Sequence, residues 1–214
     1  MENPYSGLSS HAPVWRWMGE RGLRLATGAQ TLARHADLSS CGFEEIEDII
    51  PADGSLLLIL KPGMALSRSL REAMTSPGAG GPPAEGGRHT IPVCFGGEAG
   101  PDLAACAEAA GLSEDDWLRA FIGAELTVAF LGFQPGFPYL AGLPPALQMP
   151  RRARPRTRVA AGSVAVGGTY AGIYPDAGPG GWQVIGRTVM HLFDPMRTPP
   201  ARFAPGDRVC WVAD

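Results

Sequence analysis

The sequence of 214 residues holds one lysine, Lys61, and proline follows it. A Walker phosphate loop needs its lysine inside a GxxxxGK[ST] run, so no P-loop is present. GxGxxG, GxSxG and HExxH are missing too, which excludes the dinucleotide fingerprint, the nucleophile elbow and the zincin helix as sources of activity. Cysteine is sparse: Cys41, Cys94, Cys106 and Cys210 form no CxxC, and none stands near a histidine at zinc-finger spacing. They read as free thiols in a reducing compartment. His11, His35, His89 and His191 are too scattered to propose a metal site. No apolar run approaches the roughly 20 residues of a membrane span. The opening MENPYSGLSSHAPVW lacks the basic-then-apolar order of a signal peptide. The expected location is the cytoplasm. A net charge of −3 gives no reason to expect nucleic-acid binding.

Glycine and proline are abundant instead, at 29 and 21 residues. No period runs through them, and apolar runs lie between them. That describes many short strands joined by tight turns, hence a largely β fold. Hydrophobic periodicity predicts a strand over 22–27 and a helix over 31–39 with Leu32, His35 and Leu38 near one face. A half-buried strand over 43–52 then meets a strand over 55–61 through an Asp53-Gly54 hairpin turn. A helix over 65–74 leads into the Gly/Pro-rich segment 76–87. The strand HTIPVCF (89–95) either closes the first sheet in ferredoxin-like β-α-β-β-α-β order or opens the next domain. Residues 1–87 are expected to form a small α+β, ferredoxin-like domain with its linker, and 88–214 a β-barrel domain. Gly100, Pro101 and Asp102 stand in N-cap, N1 and N2 order for one helix. Ser113-Glu114-Asp115-Asp116 resembles a capping box for a second, through about Phe121. From Thr127 onward TVAFLGF, TRVAAGSVAVGG, GIYP, GWQVIGRT, MHLFD and RVCWVA read as the strands of a closed barrel or sandwich.

Two stretches carry the candidate site, and a third adds to it. In 130-FLGFQPGFPYLAGLP-144, prolines and glycines that oppose a helix or central strand surround Phe133, Phe137, Tyr139 and Leu140. The expectation is a stiff loop with Phe137 and Tyr139 at least partly accessible, as a cleft wall or docking surface. In 150-PRRARPRTRVAAGSV-164, prolines keep the run extended, so alternation would send Arg152, Arg154, Arg156 and Arg158 to one side. Guanidinium forks suit carboxylate and phosphate. Replacing Arg154 and Arg156 by alanine is then expected to leave stability nearly unchanged. The segment 172-GIYPDAGPGGWQVIGRT-188 contributes Tyr174, Trp182 and Arg187 among glycines that allow close backbone approach.

LGFQPGFPYLAGLP, PRRARPRTRVAAGSVAVGG, GIYP, PGGWQVIGRT, LFDP and APGDRV, in that order, resemble one family. It is that of KipI, allophanate hydrolase subunit 1 and the B-type subunit of 5-oxoprolinase (PxpB), related to the carboxyltransferase domain (subdomains C and D) of urea carboxylase. HTIPVCFGGEAGPDL resembles the family's entry into its C-terminal domain, and WMGERGLRLATG its N-terminal start. The resemblance implies a small α+β domain followed by a cyclophilin-like barrel. It also implies a function shared between chains. This chain would be a subunit of an ATP-dependent 5-oxoprolinase-type or allophanate-hydrolase-type amidohydrolase, inactive or nearly so alone. Its substrate would be a small cyclic amide or urea-like compound. The implied partners are a larger KipA/PxpC-type subunit (allophanate hydrolase subunit 2) and a PxpA-type third component, with ATP as co-substrate of the assembled complex.

Two alternatives follow from the same resemblance. One is a KipI-like inhibitor of a histidine kinase. The other is a carboxyltransferase module of a urea carboxylase-like system, with biotin supplied by another chain because no Met-Lys pair is present. In the enzyme reading the catalytic candidates are Arg156, Ser163, Tyr174 and Arg187. Arg156 would bind an anion together with Arg152 and Arg154. Ser163 and Tyr174 would orient substrate, and Arg187 would stabilise charge. Phe137, Tyr139, Gly181 and Trp182 complete the substrate-binding set, and no metal is expected. The chain has Phe121 and Leu126 where the family usually has His and Tyr, and Tyr170-Ala171 where it usually has Gln-Thr. Those exchanges remove polar groups able to donate or relay protons.

Overall fold

The computed structural model describes residues 15–77 and 86–214. The opening segment and most of the Gly/Pro run 76–87 therefore lie outside the described residues. The chain divides into two compact units, Met1–Glu85 and Gly86–Asp214.

In the first unit β1 (Trp15–Met18), β2 (Gly22–Ala26), β3 (Ile46–Ala52) and β4 (Ser55–Leu60) accompany α1 (Thr31–Ser40) and α2 (Arg68–Thr75). The strands form an antiparallel sheet in the order β1-β2-β4-β3. Alternation buries Leu56, Leu58 and Leu60 of β4, which share a core with Leu38 of α1 and with Leu70 and Met74 of α2. Asp53 and Gly54 make the tight turn between β3 and β4, with Gly54 at φ 66°. Ser67 starts α2 by accepting the Leu70 N–H on its hydroxyl at 3.0 Å. The buried positions of α1 are Thr31, Arg34 and Leu38, so Arg34 takes the place expected of His35. An arginine can be buried there because its Nη2 donates to Ala73 O, a carbonyl of the last turn of α2, at 2.7 Å. Among the described residues the element order is β-β-α-β-β-α, which does not reproduce the expected ferredoxin-like order. β1 pairs with β2 along one edge, and the strand over 88–95 belongs to the second unit.

That unit contains β5 (Arg88–Phe95), α3 (Leu103–Ala110), α4 (Glu114–Ile122), β6 (Leu126–Leu131), β7 (Pro138–Ala141), β8 (Arg156–Val159), β9 (Ser163–Gly167), β10 (Tyr170–Ile173), β11 (Gly178–Gly180), β12 (Gln183–Arg187) and β13 (Arg208–Ala213). A closed barrel runs in the order β10-β7-β6-β13-β5-β12-β9. Its neighbours are antiparallel apart from the parallel pair β13–β5. β8 and β11 form a separate two-stranded ribbon. Inward residues such as Ile91, Val93, Val128, Leu140, Val164, Val166, Ile173 and Ile185 fill one core with Trp117 and Phe121 of α4. Phe121 stacks on Trp117 at 5.4 Å and on Trp211 at 5.2 Å. Ser113 caps α4, accepting the Asp116 N–H at 3.1 Å, and three acids occupy the first turn.

Three local expectations are corrected. Pro138–Ala141 is a central barrel strand, β7, between β6 and β10. Proline is tolerated because it is the first residue of the strand, and Gly136 (φ 77°) and Gly142 (φ 102°) turn the chain on either side. Residues 190–194 form no strand; a single bridge, Phe193 with Ala201, remains there. Pro195, Pro199 and Pro200 deny the neighbourhood its ladder donors. Finally α3 begins at Leu103, with Asp102 rather than Gly100 at the N-cap, and the Asp102 side chain makes no cap bond. Among the described residues no helix is long and apolar enough to cross a membrane.

Candidate functional site on the outer face of the barrel

Side chains alternate along a strand, so a filled barrel also carries an outer face. The register sets Val184 of β12 opposite Ala165 of β9, Ala165 opposite Gly172 of β10, and Gly172 opposite Tyr139 of β7. The two smallest residues lie mid-row and make a floor for large rings. A Cβ on Gly172 would come within 2.8 Å of the Phe137 ring, and one on Gly167 within 2.6 Å of the Trp182 indole. Phe137 stands 5.2 Å from both Tyr139 and Tyr174 and 5.5 Å from Trp182, in tilted and edge-to-face arrangements. Val159 of the β8–β11 ribbon joins this cluster. Phe137 is 1% exposed, against the expectation of an accessible ring. The glycine floor explains the difference, because it lets the ring settle against backbone. Tyr139 is half-buried and stacks on Phe130 at 4.4 Å. Burial pushes the Tyr139 hydroxyl pKa up, with the Arg151 charge opposing. Burial also pushes up that of Tyr174, with a backbone hydrogen bond from Trp182 opposing. Both are neutral phenols at physiological pH.

The arginine run does not present one face. Regular strand geometry begins only at Arg156, so alternation cannot be carried back to Arg152. Arg156 donates Nη1 to Asp102 Oδ2 at 2.8 Å and Nη2 to Oδ1 at 2.9 Å, a bidentate fork. Arg152 Nη1 donates to Oδ1 at 2.8 Å, and the Val184 N–H donates to Oδ2 at 2.7 Å. The Asp102 side chain is 8% exposed. It ties the start of α3 to β12, β8 and the chain at Arg152. Burial pushes its pKa up, but the Arg156 fork, the Val184 amide and the two guanidinium charges outweigh that and hold it below the ordinary carboxylate value. Arg151, Arg154 and Arg158 are exposed. Removing Arg154 is therefore expected to cost little stability, whereas Arg156 is a structural partner and its loss is not neutral.

A carboxyl held below its ordinary value stabilises the fold above that value, and the contribution is lost as pH falls through the folded-state pKa. Acid unfolding followed by tryptophan fluorescence is thus expected to show stability declining from about pH 4 downward. Asp102→Asn should be weaker at neutral pH and flatter across that acid range. Equal acid slopes in the two proteins would exclude this pair as a source of the decline.

Ser163 and Arg187 are register partners on β9 and β12. The Tyr174 N–H donates to Ser163 O at 2.9 Å, and the Gly162 N–H to Tyr174 O at 2.7 Å. Backbone pairing thus gathers Ser163, Tyr174 and Arg187 at one end of these strands. Gly162 is required there: its φ is 79°, and a Cβ would lie 2.0 Å from Thr188 O. Arg187 is exposed and donates Nε to Ala161 O at 3.1 Å. Gly181 O accepts the Arg152 N–H at 2.7 Å. Phe137, Tyr139, Tyr174 and Trp182 form the aromatic cluster, Arg152, Arg156 and Gly181 the clamp around Asp102, and Arg154 is exposed to solvent. Asp102 escaped sequence reasoning, and the exposed ring of the aromatic loop is Phe133 rather than Phe137. Asp102 reads only as a helix start, 50 and 54 residues from its partners. Among the described residues no three of His, Cys, Asp and Glu gather as metal ligands.

Residues 8–203 match the family described as carboxyltransferase domain, subdomain C and D. The chain belongs to this family. It is 55% identical to the B-type subunit of 5-oxoprolinase from Escherichia coli O157:H7 over 122 residues, 57% of this chain and 56% of that protein. The chain thus spans about half the length of the curated relatives it matches. The crystal structure of TTHA0988 superposes with a TM-score of 0.75 at 34% identity, over 91% of this chain and 40% of that one. Urea carboxylase of Kluyveromyces lactis shares the fold, with a TM-score of 0.69 at 18% identity over 100% of this chain and 23% of that one. Phe121, Leu126 and Ala171 lie in the barrel core, fully buried. Tyr170 faces outward instead, with its ring 5.7 Å from those of Phe130 and Tyr139.

Proposed function

We propose that this chain is the B-type subunit of an ATP-dependent 5-oxoprolinase-type amidohydrolase. It acts with a larger KipA/PxpC-type partner and a PxpA-type third component on a small cyclic amide. The observation that carries this reading is 55% identity to a protein named as that subunit of 5-oxoprolinase. A carboxyltransferase reading rests on the family's description and on a likeness of fold at 18% identity. In TTHA0988 and urea carboxylase the matched fold makes up 40% and 23% of the chain. There it sits within a longer polypeptide, which supports a partner here.

The chemistry of the outer face is compatible with this role. Opening a lactam with ATP requires neutralising a substrate carboxylate and a transferring phosphoryl group. The exposed Arg151, Arg154 and Arg158 offer such cations, and Arg187 stands beside Ser163 at the strand ends. ATP phosphates would be met by arginine forks and by the partner rather than by a P-loop. Arg152 and Arg156 position the arginine-bearing chain through Asp102. Alone, the chain is expected to be inactive.

The test is reconstitution with the candidate larger subunit and third component, following glutamate release from 5-oxoproline and ATP consumption together. Release is expected only when every component and ATP are present. Arg154→Ala should shift stability by less than about 0.5 kcal/mol and slow the assembled enzyme roughly tenfold or more, as loss of a charged hydrogen bond does. A well-formed complex that turns over no lactam or urea would overturn the reading.

A further inference from the structure

We infer that Phe133 is the anchor by which the barrel unit grips its larger partner subunit, entering an apolar socket on that partner. The inference rests on the two-subunit reading above and adds the contact itself.

The first observation is backbone geometry. The Gln134 N–H donates to Gly132 O at 2.8 Å, which closes a three-residue turn with Phe133 at its centre. Phe133 has φ 68°, and among the described residues it is the one non-glycine with a positive φ. This is a γ-turn of the rarer, strained hand. A phenylalanine placed where glycine would be unstrained indicates that its ring is used.

The second observation is where that ring goes. Phe133 is 60% exposed, while its ring neighbours are buried: Phe137 at 5.5 Å and Tyr174 at 6.1 Å, both edge-to-face. A fixed aromatic base orients an exposed ring before any partner arrives, so little freedom is lost on docking. With 60% of its surface open to water the ring is not enclosed, whereas small-molecule sites bury most of their ligand in a concavity. A protein socket suits it better.

The test measures binding of the purified larger subunit by calorimetry, together with the melting temperature of each variant. Phe133→Gly should melt no lower than wild type, because the strained φ becomes an ordinary one, yet its affinity should fall roughly 30-fold, equivalent to ~2 kcal/mol. Phe133→Ala should lose similar affinity, and Phe133→Trp should keep most of it. Wild-type affinity in both Phe133→Gly and Phe133→Ala would overturn the anchor. Unchanged affinity with a raised KM for the lactam would place the ring on the substrate and overturn it as well. A wild-type complex that assembles but opens no lactam would sink the functional reading and leave the anchor standing. Failure of the wild-type chain to associate would remove both.

Discussion

Replacing Asp102 by alanine is expected to destabilise the protein by about 3 kcal/mol, the lower end of the cost of breaking a buried ion pair. The lower end applies because the Arg152 and Arg156 side chains keep 34% and 25% of their exposure and can recover water. The Val184 N–H, buried and deprived of its acceptor, adds to the loss. Urea denaturation of the single variants should rank Arg156→Ala above Arg152→Ala, because Arg156 makes a two-bond fork and Arg152 one bond. Arg154→Ala should barely move. The double variant Asp102→Ala with Arg156→Ala should be less damaged than the sum of its parts, with a coupling of about 0.5–3 kcal/mol. Simple additivity would mean that the fork contributes nothing to the fold.

The contrast between Arg154 and Arg156 shows what a sequence can and cannot reveal. Local chemistry was legible. Ser113 caps its helix, Asp53 and Gly54 turn their hairpin, and alternation in β4 finds the first core, because each depends on residues a few positions apart. Glycine and proline density also points to a barrel, since short strands need frequent turns. Side-chain direction across long separations was not legible. Five arginines in eight residues look like one cationic face, but Asp102 reaches in from far upstream and draws two of them inward. Pro138 reads as an obstacle to a central strand until its position as the first residue of β7 removes the need for an N–H. The buried face of α1 holds Arg34 because carbonyls at the end of α2 await it, and no periodicity within α1 records them.

Truncating Phe137 to alanine is expected to cost about 3–5 kcal/mol, the range for a buried aromatic. The ring is 1% exposed and packs against Tyr139, Tyr174 and Trp182, so its loss opens the middle of the outer cluster. Beneath it lies Gly172, so the space left would be floored by backbone, which cannot rise to fill it. Tyr139→Ala should cost less, because Tyr139 is already half open to water. The mirror experiment adds volume from below. Gly172→Ala would put a methyl 2.8 Å from the Phe137 ring and 2.9 Å from Pro138 O, an overpacking penalty of about 1–3 kcal/mol. Combining it with Phe137→Leu should relieve the clash with the ring but not the one with the carbonyl, so rescue will be partial. Thermal melts of these variants beside wild type decide the matter. If Phe137→Ala melts at the wild-type temperature, the outer aromatic cluster is not a second core, and the site would need to be rebuilt around a mobile loop.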